Sequence, residues 1–143
     1  MKYLTRKKIT VKLINEIVKK NSDKSIGSLI IFTGKVRKDL VDGKNFVKEI
    51  YYESYKKMSE KEIDEIIKSA KEKFKVKKII VKHRLGRVKL GEIAFLVIVF
   101  SSHRKEGFSA IQFVIDEIKN KVPIWKKEIL SNNKERWKEE KYV

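Results

Sequence analysis

The chain has 143 residues, 41% of them hydrophobic, which is enough for one domain with a buried core and too little for two. It contains no cysteine, which excludes disulfides and thiolate metal ligands and requires that sulfur for any sulfur chemistry come from elsewhere. The formal charge of +17 favours an acidic partner, whether nucleic acid, a phosphorylated small molecule or an acidic protein.

Met1 to Lys8 leads into a short amphipathic stretch rather than an apolar signal core, and no run approaches a membrane span, so a soluble cytoplasmic protein is expected. Val11, Ile14, Ile17 and Val18 recur at helical spacing and predict a helix over 10–20. Residues 26–36 are β-branched and aromatic around Gly27 and Gly34, which predicts a buried strand delivering Lys35 and Arg37 to an edge. After a polar loop over 38–45, Phe46, Ile50 and Tyr52 alternate with polar neighbours, and a second strand is expected to pair back antiparallel. Ser59-Glu60-Lys61-Glu62 reads as a capping box, followed by Ile63, Ile66, Ile67, Ala70 and Phe74 at helical spacing.

Two further strands are predicted at 76–83 and 92–101, separated by a stretch whose Gly86 and Gly91 suggest a turn with a small extra strand. Ile93 to Phe100 is apolar on both faces, the pattern of a central strand covered on both sides. A polar corner, Ser102-His103-Arg104-Lys105-Glu106, then opens a helix carrying Phe108, Ile111, Ile115 and Ile118. Residues 126–143 are charged, with Trp125 and Trp137 as apolar anchors of a hairpin or extended tail. This order of elements fits a single α+β domain over 1–143.

Two places concentrate chemistry. The only proline, Pro123, stops the long helix, so Lys119 on its last turn and Lys126 beyond the break can converge on an anion. A lysine partly desolvated beside another cation has its ammonium form disfavoured and can serve proton transfer or nucleophilic attack. The His103-Arg104 corner begins the same helix, where free N–H groups and the dipole favour an anion. Lys119 lies about four turns further on, so the two places cannot meet within one chain unless the site is extended or a second copy supplies one part. Two histidines and no thiols give metal catalysis little support, and no serine nucleophile elbow, Walker loop or dinucleotide fingerprint is present. Charge-based catalysis or binding remains. A basic nucleic-acid-binding domain is the alternative, motivated by the charge and by Tyr51, Tyr52, Tyr55 and Trp125.

Four segments in order resemble the large, catalytic subunit of molybdopterin synthase. They are Phe32-Thr33-Gly34-Lys35-Val36-Arg37, His83-Arg84-Leu85-Gly86, Ser102-His103-Arg104 and the stretch from Lys119 through Pro123 and Trp125 to Glu128. The resemblance runs from about Gly27 to Trp137 and implies an α/β-hammerhead fold with a small antiparallel β subdomain. It implies insertion of two sulfur atoms into cyclic pyranopterin monophosphate, forming the molybdopterin dithiolene. The sulfur would arrive as a thiocarboxylate on the C-terminal glycine of a small ubiquitin-like partner subunit, with no metal or other cofactor needed for the step. A homodimer of large subunits at the centre of a heterotetramer is implied as well. Carried over by position, Lys119 and Lys126 would be catalytic, and Arg37, His103 and Arg104 would bind substrate or anion. Lys35, Val36, Lys127 and Glu128 would line the same pocket. The chain departs from the family pattern in its lysine-heavy loop at 38–44 and at Lys127, where arginine is common and a bidentate phosphate contact would be lost.

Overall fold

A computed structural model describes residues 1–138. Residues 139–143, the end of the expected charged tail, lie outside the described residues. Within it the strands are β1 (Leu4–Thr5), β2 (Ser28–Lys35), β3 (Val47–Ser54), β4 (Lys78–Arg84), β5 (Gly86–Lys89), β6 (Ile93–Ser101), β7 (Ile124–Leu130) and β8 (Glu135–Lys138). The helices are α1 (Val11–Asn21), α2 (Lys56–Phe74) and α3 (Arg104–Lys121). The strands form two four-stranded sheets, in the orders β1-β4-β6-β2 and β5-β3-β7-β8. This is the expected α+β arrangement, and the second sheet is the antiparallel β part.

β6 is interior to the first sheet and every one of its residues is buried, as its unbroken apolar run requires. Leu96, Ile98 and Phe100 point to one face, where Leu13, Ile14, Ile17 and Val18 of α1 cover them. Phe95, Val97 and Val99 point to the other, joining Ile63 and Ala70 of α2 and Ala110 and Val114 of α3 in one core. That core continues into the second sheet through Val47, Tyr52, Val88 and Leu130, so the two sheets meet over shared side chains. α1 faces its sheet through Leu13 as well as the expected positions, while Val11 is exposed. Its N-terminus is capped by Thr10, whose Oγ1 accepts from the Leu13 N–H at 3.1 Å.

Three expectations are corrected. β3 does not pair back onto β2; it lies between β5 and β7 in the other sheet, with Tyr52 opposite both Gly86 and Lys126. The chain leaves the first sheet at Val36, whose N–H bonds Glu92 O while its carbonyl accepts from Gly91 N–H. α2 starts a turn before the supposed capping box. Its N-cap is Tyr55, and Ser59 is fully buried inside the helix, donating to Pro123 O at 3.3 Å. Glu60 instead accepts from the backbone N–H groups of Lys2, Tyr3 and Leu4, which fastens the unexpected strand β1 against α2. The reciprocal cap belongs to α3, where Glu106 Oε1 accepts from the His103 N–H at 2.7 Å. Finally, Phe108 does not join the buried face of α3; it is exposed beside that corner. Among the described residues no helix is long and apolar enough to cross a membrane.

Candidate active site

Pro123 does what the sequence requires of it. α3 ends at Lys121, Val122 is extended and buried, and β7 begins at Ile124. The reversal brings Lys119 and Lys126 to one cavity of about 310 Å³. Strand alternation then sorts β7, putting Ile124, Lys126 and Glu128 on one face and Trp125 and Lys127 on the other. Lys35 reaches the same cavity because the β2–β6 register shifts between Gly34 and Lys35, re-aiming a side chain that simple alternation would send away. Lys138 of β8 adds a fourth ammonium group.

The floor is aromatic. Phe32 and Phe95 meet edge to face at 5.8 Å, and His83 sits between Phe95 at 5.2 Å and Tyr52 at 5.0 Å. Burial, reinforced by the Glu128 carboxylate, pushes the Tyr52 hydroxyl up to about 12, so it stays protonated. Burial likewise pulls His83 down to about 4, helped by the Lys126 and Lys119 charges and opposed by its bond to the Arg84 carbonyl. Lys119 and Lys126 themselves are exposed. Among the described residues, packing does not supply the desolvation expected for this pair.

The other expected residues are distributed. Val36 is buried in the core beside the cavity, and Arg37 points outward to Asp39, Nε to Oδ1 at 2.8 Å. Glu128 is buried on the cavity side of β7 and accepts from Arg136 Nε at 2.6 Å, with Lys138 Nζ 3.9 Å away. Lys127 lies on the opposite face, where its Nζ stands 5.2 Å from the Tyr51 ring centre and 5.4 Å from that of Trp137 and pairs with Glu135 at 3.2 Å. His103 and Arg104 line a separate open cleft of about 830 Å³ with Gly27, Lys105 and Phe108. A helix rise of 1.5 Å per residue puts this corner about 24 Å from Lys119 along α3. Among the described residues no group of three or more His, Asp or Glu side chains could hold a metal ion.

The motif order and this cavity can now be set against known proteins. The model of the family described as MoaE protein matches residues 4–121. The molybdopterin synthase catalytic subunit of Thermoplasma volcanium is 40% identical over 131 residues, spanning 90% of this chain and 94% of its own. The chain belongs to the MoaE family of molybdopterin synthase catalytic subunits. Molybdopterin synthase from Staphylococcus aureus has the same fold, with a TM-score of 0.84 at 30% identity over 95% of both chains. A complex of subunits 1 and 2 of molybdopterin-converting factor from Helicobacter pylori shares the fold at TM-score 0.78 and 22% identity, covering 98% of this chain and 91% of that one. As a molybdopterin synthase catalytic subunit the chain is an enzyme of molybdenum cofactor biosynthesis, and none of these matches supports the nucleic-acid-binding alternative.

Sequence reasoning placed none of Tyr52, His83 and Lys138 on this cavity. For His83 the available signal was period-two alternation. Ile79, Val81 and His83 share a strand face, and the first two are plainly core.

Proposed function

We propose that this chain transfers sulfur from a thiocarboxylated, ubiquitin-like small subunit to cyclic pyranopterin monophosphate, forming the molybdopterin dithiolene in the cytoplasm. One observation carries the reading: Lys119 and Lys126, separated by the Pro123 break, share a cavity with Lys35 over an aromatic floor. Ammonium groups there offset both the substrate phosphate and the thiocarboxylate of an entering chain terminus. Lys119 moves protons as the cyclic phosphate opens, and the small subunit's own body desolvates the exposed lysines when its tail enters. Arg37, His103 and Arg104 contact the substrate anion, Lys35 and Val36 shape the cavity edge, and Glu128 supports Lys126 from within its strand. Lys127, on the far face of β7, contacts the substrate only through an assembly that brings that face to a site.

The 143 residues act as one domain, and two copies form the central dimer of a heterotetramer. Dimerisation answers the separation along α3, because the His103 corner of one copy can complete the lysine cavity of the other. The test is dithiolene formation from purified chain, thiocarboxylated small subunit and cyclic pyranopterin monophosphate. Wild type should turn over, and Lys119→Ala and Lys126→Ala should each lose on the order of 10²-fold or more in rate, as removal of a transition-state charge partner does. No product from wild type overturns the activity; full rate in both variants overturns the site.

A further inference from the structure

The floor of the lysine cavity is a histidine that the reaction scheme leaves unused. His83 Nδ1 lies 2.8 Å from the Arg84 carbonyl oxygen, and since a carbonyl only accepts, Nδ1 carries the ring proton. Nε2 is then a bare lone pair. With Nδ1 committed to the backbone, Nε2 is the ring nitrogen left to meet a partner from the cavity that His83 lines. The ring cannot swing away, being held by the Nδ1 bond and wedged between Tyr52 and Phe95.

The groups that share the cavity with His83 come from several elements. Lys35 of β2, Lys119 of α3, Lys126 of β7 and Lys138 of β8 bring ammonium donors, and the Tyr52 hydroxyl of β3 stays protonated. A fixed neutral acceptor shares the cavity with cationic donors, and Lys126 acts on it more strongly than Lys119 does. An imidazole that stays neutral to about pH 4 is too weak a base to carry protons at neutral pH, but it can accept a hydrogen bond.

We propose that His83 is a positioning residue for the lysine pair: its Nε2 lone pair receives one N–H of Lys126 and fixes where that ammonium group stands when an anion fills the cavity. The inference rests on the molybdopterin synthase reading for its kinetic consequence, but not for its geometry.

Two variants and one spectrum test it. His83→Phe keeps a ring between Tyr52 and Phe95 without the lone pair, and His83→Gln restores an acceptor of similar reach. In the dithiolene assay at saturating substrate and small subunit, His83→Phe should lower kcat roughly 10- to 100-fold with KM within about twofold, the cost of a misplaced group, and His83→Gln should recover most of it. In 15N-resolved NMR of the free chain with inorganic phosphate as the anion, His83 should show the Nδ1–H tautomer. Its Nε2 resonance should move in Lys126→Met and stay put in Lys20→Met, an exposed lysine of α1 on the opposite side of the first sheet. Wild-type kcat in His83→Phe, a proton on Nε2, or an Nε2 signal indifferent to Lys126→Met each overturns the proposal. Should His83→Phe fail to fold, the wild-type and Lys126→Met spectra decide alone. Absence of product from wild type would instead strike the underlying reaction and leave the spectroscopic result standing.

Discussion

At the scale of residues, His83 couples the cavity floor to folding. Its pKa is about 4 in the fold against 6.5 for an ordinary histidine, so between those values the unfolded chain binds a proton that the folded chain refuses. Stability from this group is therefore fully present above pH 6.5 and is lost as pH falls toward 4, a change on the order of 3 kcal/mol. Denaturant titrations of wild type and His83→Phe across pH 4–7 check this: the wild-type midpoint should fall with acid more steeply than the variant's, and parallel curves would refute the burial argument. The same residue marks what the sequence could reveal. Lys119 and Lys126 were legible because a single proline dictates a helix stop and a reversal. Lys35 was legible as an edge residue, but its place on the cavity depends on a register shift that alternation cannot foresee. Whether Lys127 shares that cavity was decided by strand parity, which sends it to the face of Tyr51 and Trp137.

At the scale of elements, local patterning served the helices and β6 well because each has its own covered face. It failed for β3, since alternating residues say that a strand is half buried and nothing about which sheet buries it. The capping-box reading of Ser59 failed for a related reason: a serine before a periodic apolar run can equally be a small buried residue under a tertiary contact, here with Pro123. The junction of β2, β6 and α3 shows how closely such contacts are set. A Cβ on Gly27 would stand 2.2 Å from the Ser102 carbonyl oxygen, and the Gly27 N–H already donates to Ser101 O at 3.0 Å. Gly27→Ala must push the backbone of the His103 corner aside, and should destabilise the fold by about 1–3 kcal/mol, the usual cost of overpacking. Thermal unfolding reads this directly. Gly43→Ala separates the two costs: its added Cβ meets nothing within 4 Å, so it reports left-handed strain at φ +81° alone, which Gly27 does not carry.

At the scale of the whole molecule, the charge of +17 is spread over both sheets and all three helices, and it identifies no site by itself. Position does. The lysine cavity and the His103 corner occupy opposite ends of one 18-residue helix, so in the proposed dimer α3 is the spacer between two half-sites. In that dimer one working site takes its lysines from one copy and its His103 corner from a second. Co-expression of differently tagged Lys119→Ala and Arg104→Ala chains, with isolation of the mixed dimer, tests it most directly. In that dimer one site carries both lesions and the other carries neither, so about half the wild-type dithiolene-forming activity should return, while each variant alone stays nearly inactive. A mixed dimer as inactive as its parents would contradict the account, because it would mean that each chain builds its site from its own residues.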